Sequence, residues 1–300
     1  MSLQQQINAL FDEQLRSWPL AGKNFADLDR IEVKTCPFGD FAVRVQFNPA
    51  RMVSSGAKVD AKTIAERPCF LCRDNRPAEQ QAVAWGDYEI LVNPFPIFPQ
   101  HFTVPLVEHR PQNIDAHFAD MLHLAELLPE LIVFYNGPRC GASAPDHMHF
   151  QAGTKHFLPL IDDYDRLKAA NAIVYDRTGS ATTFSLNNYL RTVFCIEGRR
   201  ADAVQIAFMK LYNLLLTEPR VEPMMNIVAT YDAGLWRVFV LPRANFRPWQ
   251  YNTEDTENQL LISPATVEMA GVFVTPVQQH FERITGDDIV DIFTQTTRKM

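Results

Sequence analysis

A chain of 300 residues is long enough for one large domain or two of ordinary size, and a hydrophobic content of 47% supplies a full core. The formal net charge of −7 argues against broad nucleic-acid binding, which leaves a basic footprint, although local basic residues could still hold a small phosphorylated ligand. No run reaches the roughly 18 apolar residues of a membrane span, no basic region followed by an apolar one opens the chain, and the five cysteines are odd in number; together these predict a cytoplasmic protein with no membrane partner.

The first 20 residues read as a helix, with Ile7, Leu10, Phe11 and Leu15 at helical spacing. Phe41–Phe47 alternates as a strand should, and Asn48-Pro49-Ala50-Arg51 ends it. Residues 51–68 read as an excursion that leads into Cys69-Phe-Leu-Cys72. Tyr88–Val92 and Phe102–Pro105 form a strand pair around the loop Asn93-Pro-Phe-Pro-Ile-Phe-Pro99. Residues 113–128 carry Ile114, Phe118, Met121, Leu124, Leu127 and Leu128 on one helical face, and Pro129 stops the run. Leu131–Tyr135 is a buried type of strand, and a second helix covers 201–216 with Val204, Phe208, Leu211 and Leu215 as its stripe.

The most informative segment is His147-Met-His149-Phe-Gln151. In an extended strand, residues two apart share a face, so His147, His149 and Gln151 line up opposite Met148 and Phe150. The preceding stretch, Asn136-Gly137-Pro138-Arg139-Cys140-Gly141-Ala142-Ser143-Ala144-Pro145-Asp146, is small and turn-rich, a type of loop that brings backbone N–H groups close to an anion. A nucleophilic imidazole beside a phosphate cradle is what nucleotidyl transfer through a phospho-histidine requires. The plainer alternative is a pair of satisfied core or surface histidines.

Cys69 and Cys72 have the spacing that lets two sulfurs reach one ion from a tight turn, but alone they are half a site. His109 and His147 would complete a closed, tetrahedral, structural zinc site that pins the neighbour of His149. Two buried thiols, or thiol–disulfide work, are the other readings; no thioredoxin-like pattern surrounds the pair.

The chain also resembles itself. Phe102–Gln112 can be laid over Phe239–Trp249 at an offset of 137 residues, with Ile90–Val92 falling on Ile227–Ala229. This short match is either chance or the trace of a duplicated α+β unit. In the second case the later copy has lost chemistry, since His109 maps to Phe246 and no HxHxQ follows.

These residues resemble the histidine-triad superfamily, in its branch of galactose-1-phosphate uridylyltransferases, diadenosine tetraphosphate phosphorylases and GDP-hexose phosphorylases. Cys69–Cys72 looks like the uridylyltransferase zinc motif. Phe47–Arg51, Gly141–Ser143 and His147–Gln151 resemble the branch's first half, and Asn226–Ala229, Phe239–Arg243 and Ser263–Gly271 are similar to the C-terminal half of the dinucleotide phosphorylases. One residue within Ala144–Asp146 is extra relative to the uridylyltransferase spacing, and Met148 stands where those enzymes have proline.

The resemblance implies an α+β fold: a histidine-triad-like antiparallel sheet with helices packed on it, in two tandem units. Residues 1–165 would be the catalytic half and 166–300 a degenerate one. It implies a nucleotidyltransferase or phosphorylase acting on an NDP-sugar or dinucleoside polyphosphate. His149 would be the nucleophile and Gln151 a donor to a phosphate oxygen. Asn136, Gly141 and Ser143 would lie around the phosphates, Arg51 and Arg139 would be charge clamps or plain surface arginines, and Asn93 and Phe95 would face the nucleoside. The acceptor would be phosphate or a sugar phosphate. A hydrolase of the same fold and a non-catalytic nucleotide-binding protein are the alternatives. Base, sugar and oligomeric state stay open, with a homodimer one assembly the resemblance allows.

Overall fold

The computed structural model describes residues 1–52 and 60–300. Thirteen strands are described: β1 (Glu32–Phe38), β2 (Phe41–Phe47), β3 (Ala82–Trp85), β4 (Tyr88–Val92), β5 (His101–Pro105), β6 (Leu131–Asn136), β7 (His149–Thr154), β8 (Ala172–Thr178), β9 (Ala181–Leu186), β10 (Phe194–Gly198), β11 (Met225–Asp232), β12 (Leu235–Pro242) and β13 (Val272–Thr275). The described helices are α1 (Leu3–Ser17), α2 (Pro19–Ala26), α3 (Ala61–Glu66), α4 (Phe118–Leu127), α5 (Pro159–Asp162), α6 (Tyr164–Asn171), α7 (Ala201–Leu215), α8 (Trp249–Asn252), α9 (Thr266–Met269), α10 (Gln278–Arg283) and α11 (Gly286–Thr296). Part of the excursion expected over 51–68 lies outside the described residues; α3 falls within the rest of it. Among the described residues no helix is long and apolar enough to cross a membrane.

β3 to β12 form one ten-stranded antiparallel sheet in the order β3-β4-β5-β7-β6-β11-β12-β10-β9-β8. The α+β antiparallel architecture expected from the sequence is what the chain adopts. The sheet is apolar on both faces because its central strands alternate between two cores. In β6, Leu131, Val133 and Tyr135 enter one core while Ile132 and Phe134 enter the other; in β12, Val238 and Val240 oppose Phe239 and Leu241.

The first core lies under α1, α2, α4 and α7. The α4 stripe Phe118, Met121 and Leu124 meets the α7 stripe Val204, Phe208 and Leu211, with the Phe118 and Phe208 rings stacked at 3.7 Å. The second core is closed by a three-stranded sheet, β1-β2-β13, and by α5, α6, α10 and α11. β13 pairs parallel with β2, so a late segment of chain is built onto an early one. α6 spans the expected boundary between residues 165 and 166.

The strand order repeats. β3-β4-β5-β7-β6 is followed across the central β6–β11 pair by β11-β12-β10-β9-β8, so β8 to β12 retrace β3 to β7, each set with one long helix between its third and fourth strands. The sequence match at offset 137 does not follow this pattern. It lays β4 on β11 and β5 on β12, whereas the topological counterparts of β4 and β5 are β9 and β10. Phe-x-x-Pro at the ends of β5 and β12 reflects two apolar strands leaving a sheet, and similar demands give similar residues.

The two sets of strands meet at the β6–β11 pair, where Asn226 Nδ2 donates to Asn136 Oδ1 (3.0 Å), and a buried guanidinium holds Asn226 in place. Arg243, 2% exposed, donates from Nε to the Thr296 carbonyl (3.0 Å), from Nη1 to Asn226 Oδ1 (2.6 Å) and the Pro264 carbonyl (2.8 Å), and from Nη2 to the carbonyls of Asn245 and Phe246 (3.0 Å each). A planar fork of five N–H groups meets five oxygens. Arg243→Ala would strand those oxygens in the interior and should cost about 3–5 kcal/mol, read by urea denaturation. Arg243→Lys, with one three-donor head, should recover less than half of that loss; full recovery would show that charge alone matters here.

A candidate active site beside a cysteine–histidine cluster

The strand that carries HxHxQ begins at His149 rather than His147. Met148 and Phe150 face the first core as expected, while His149 and Gln151 face the other side. His147 does not share their face: it lies ahead of the strand, where its ring can turn back toward the cysteines. The chain there follows the segment 106–112 rather than a regular ladder. Leu106 N–H donates to Met148 (2.9 Å), Met148 N–H to Arg110 (2.6 Å) and Gln112 N–H to Pro145 (3.0 Å).

His147 links two sites. Its Nε2–H donates to the Leu106 carbonyl at 2.7 Å, which leaves the Nδ1 lone pair facing Cys69 Sγ at 3.2 Å and Cys72 Sγ at 3.6 Å; Cys72 Sγ is also 3.2 Å from His109 Nδ1. The ligand atoms of Cys69, Cys72, His109 and His147 lie within 4.8 Å of one another. Tetrahedral zinc, with bonds of about 2.3 Å to sulfur and 2.0–2.1 Å to nitrogen, sets ligand separations of roughly 3.3–3.8 Å. The four residues therefore fit one metal ion, and the expected ligand set is brought together. Its turn is braced by Asn75 Nδ2–H to the Cys69 carbonyl (3.0 Å) and by Arg76 to the Leu71 carbonyl (2.6 and 2.9 Å), with Arg76 also ion-paired to buried Glu89.

His149 is 3% exposed. Its Nδ1–H donates to the His147 carbonyl at 2.7 Å, so Nε2 carries the lone pair. Burial, against the bond to His147, lowers its pKa to about 4, and the ring is neutral near pH 7. Its backbone is gripped by Gln112: Oε1 accepts from His149 N–H (2.8 Å), while Nε2 donates to the carbonyls of His149 and Asn136 (3.0 Å each). β6 and β7 pair only as far as Phe134 and Gln151, and the Gln112 amide bridges them two residues further.

Gln151 stands in register between Thr103 and Phe134. Its Oε1 is 2.9 Å from His101 Nε2, and His101 Nδ1 accepts from Ile97 N–H at 3.2 Å. His101 Nε2 must therefore be the N–H, and the Gln151 NH2 is turned outward as a donor. Burial, then the nearby Arg51 charge, lower His101 to about 3, so this tautomer persists at neutral pH. Thr103 Oγ1 accepts from Asn93 Nδ2 (3.1 Å), Asn93 Oδ1 accepts from Phe95 N–H (2.9 Å), and the Phe95 carbonyl accepts from Arg51 Nη1 (2.8 Å). Arg51, Asn93 and Phe95 are thus one chain of contacts leading to Gln151. Arg51 Nε is buried without a partner among the described residues.

The 137–146 loop is held by Asn226 Nδ2 on the Cys140 carbonyl (2.8 Å) and by Arg67 on the Ser143 carbonyl (3.2 Å) and Asp146 (2.8 Å). Gly141 has φ +100°, and a Cβ there would lie 2.5 Å from the Ala265 Cβ, so the loop needs glycine on two counts. Asn136 is structural as well as central: its Oδ1 accepts from Asn226 Nδ2 (3.0 Å), Thr266 N–H (2.9 Å) and Thr266 Oγ1 (2.7 Å). Arg139 is exposed and donates to the Glu222 carbonyl (3.0 Å); no hydrogen bond among the described residues ties it to His149. Glu222 itself accepts from Ile114 N–H (2.6 Å) and Tyr135 OH (2.9 Å). His101, Gln112, Arg67 and Glu222 escaped the sequence reading. Gln112 closed the very segment compared with 239–249, and its signal was absorbed by that match.

A comparison with family models matches residues 10–154 to a domain of unknown function, DUF4922. No curated protein matches. Among solved structures, yeast Ap4A phosphorylase Apa2 in complex with AMP superposes with TM-score 0.61 at 16% identity, covering 95% of this chain and 96% of the yeast chain. The same enzyme in complex with Ap4A gives TM-score 0.61 at 18% identity, over 93% and 96%.

Two measurements follow from this geometry. Metal analysis of protein purified without added metal should give about one ion per chain, and Cys72→Ser should lower both that content and Tm; metal-free protein of unchanged stability would return the thiols to ordinary packing. Burial raises Glu222 from 4.5 to about 7, outweighing the N–H and hydroxyl that favour its carboxylate. A raised carboxyl contributes stability below pH 4.5 that is lost as pH rises through 7. Wild type should therefore lose stability relative to Glu222→Gln between pH 5 and 8; parallel profiles would show that Glu222 is ionised throughout. In fold, the chain is similar to yeast Ap4A phosphorylase over nearly its whole length, which agrees with the architecture that the HxHxQ resemblance implied.

Proposed function

We propose that this protein is a nucleotidyltransferase of the phosphorylase or hexose-1-phosphate nucleotidylyltransferase type, acting on a dinucleoside polyphosphate or NDP-sugar through a covalent nucleotidyl-His149. The observation that carries the reading is the pairing of a neutral His149, whose Nδ1–H is committed to the His147 carbonyl, with a Gln151 amide whose NH2 is turned out by His101. A nucleophile with a defined lone pair and a donor for a phosphate oxygen sit two residues apart on one strand face.

In this reading His149 Nε2 attacks the α-phosphorus. The P–N bond forms as the P–O bond to the leaving nucleoside polyphosphate or sugar phosphate breaks. A phosphate or sugar-phosphate oxygen then displaces Nε2, regenerating the free imidazole. Gln151 donates to a non-bridging oxygen as charge grows there. Gly141 and Ser143 lie on the loop after Asn136 and would face the phosphates, and Arg51, Asn93 and Phe95 would contact the nucleoside end. Arg139 is the weakest of the proposed clamps. Zinc held by Cys69, Cys72, His109 and His147 would be structural, with all four positions closed, and would fix the His147 carbonyl that orients His149. Residues 1–165 would be the catalytic half, because β7 carries HxHxQ while its counterpart β12 reads Leu-Trp-Arg-Val-Phe-Val-Leu-Pro.

Incubation with α-labelled dinucleoside polyphosphates and NDP-sugars should leave an acid-labile, base-stable adduct on wild type and none on His149→Ala. Gln151→Ala should slow its formation about 100-fold or more, the cost of one transition-state donor. No adduct on wild type with any base would overturn the reading. Discharge to water but not to phosphate would make the protein a hydrolase instead.

A further inference from the structure

Arg243 shows what a buried guanidinium needs, with every N–H on an oxygen. Arg191 is 4% exposed and lacks this. Nε donates to the Met269 carbonyl (2.6 Å) and Nη2 to Tyr189 OH (3.0 Å), while Nη1 is buried with no partner among the described residues. The group is clamped between the Tyr189 ring at 4.1 Å and the Phe293 ring at 4.4 Å, so it cannot swing away to find one. Among the described residues no carboxylate lies within ion-pair distance of it. A buried charge without a counter-charge is costly, and a protein normally neutralises it or pairs it.

Arg191 lines a cavity of about 290 Å³ between the β9–β10 connection and the C-terminal segment. Asn187, Asn188, Thr192, Thr297, Lys299 and Met300 share the lining, in which the α-carboxylate of Met300 is the one anionic group and no side chain is acidic. Thr297 Oγ1 is a second buried polar atom of this lining without a partner among the described residues. The connection is itself under strain: Asn188 and Leu190 have φ of +53° and +55°, in the left-handed region that a leucine rarely adopts, and such strain gathers at binding sites. In the repeated strand order, the β9–β10 connection takes the place that the β4–β5 loop, with Asn93 and Phe95, holds in the first set.

We propose that this cavity binds a phosphate group, free or on a small phosphomonoester. Arg191 supplies the fixed planar donor and Lys299 a second cation, with Thr297 and the amides of Asn187 and Asn188 as neutral donors. At about 290 Å³ the cavity is at the low end of ligand pockets, too small for a dinucleotide. The site lacks any histidine and holds its ligand without chemistry. It stands independently of the reading given to His149.

The test uses the full chain and inorganic phosphate against sodium chloride of equal ionic strength. Phosphate should raise the Tm of wild type and of Gln151→Ala alike. The rim variant Asn187→Asp/Lys299→Glu, at exposed positions, should keep its phosphate-free Tm and bind phosphate at least tenfold more weakly by equilibrium dialysis. Arg191→Met should lose the phosphate response without falling below wild type in phosphate-free buffer. The proposal fails if phosphate does no more than chloride, if the rim variant keeps the full response, or if Gln151→Ala abolishes it. It fails too if Arg191→Met is destabilised equally with and without phosphate, which would make the guanidinium a packing element. Should Arg191→Met not fold, the rim variant decides.

Discussion

The candidate site depends on a side chain standing in for backbone. β6 and β7 are bonded neighbours as far as Phe134 and Gln151, and two residues further the Gln112 amide enters between Asn136 and His149. An amide group has the donor and acceptor of a peptide bond, so it can satisfy both strands while holding them further apart than a ladder would. That separation lets the 137–146 loop leave β6 and return to β7 without orphaning the polar groups of His149. It also places His149 at the first residue of β7, paired with β5 through Pro105 on one side and held by Gln112 on the other. A side chain on such an element is held more precisely than one on a loop.

The second set of strands contributes through the seam. Arg243 fixes Asn226, Asn226 fixes Asn136 and the Cys140 carbonyl, and Thr266 closes on Asn136 from a different segment. Gly141 then meets Ala265 so closely that a methyl group has no room. The loop beside His149 is thus shaped by residues more than 80 positions away in sequence, and a half that carries no HxHxQ is still part of the site's support. The ten-stranded sheet thus runs through both sets without a break, and in the smaller sheet β13 is tied back onto β2.

Where one physical rule governed a segment, the sequence was readable. The α1, α4 and α7 stripes, the β2, β4, β5 and β6 runs, and the clustering of Cys69, Cys72, His109 and His147 all follow from periodicity or ligand chemistry. Where two rules competed, it was not. HxHxQ was read as one strand face because period two is the default, yet a side chain reaching for the two cysteine sulfurs and the Leu106 carbonyl takes His147 out of the strand. His101 reaches Gln151 and Gln112 reaches His149 across 50 and 37 residues of sequence, and nothing local marks those pairings. The offset of 137 pairs β4 and β5 with β11 and β12, which is not the correspondence the strand order gives, and that order is not legible in the sequence.

Three imidazoles sit around this site and each has its tautomer fixed by backbone. Ile97 N–H makes Nδ1 of His101 an acceptor; the Leu106 carbonyl makes Nε2 of His147 a donor; the His147 carbonyl makes Nδ1 of His149 a donor. Burial lowers the pKa of all three, so none gains by charging at neutral pH. The consequence is directional. A histidine exposed to water exchanges tautomers freely and spends part of its time with the wrong nitrogen protonated. Here the backbone removes that freedom before any ligand arrives, so the lone pair of His149 and the NH2 of Gln151 are set by folding. Groups whose alignment is fixed by the fold need little reorganisation when a ligand approaches, and that is how a fold contributes preorganisation before any ligand is bound.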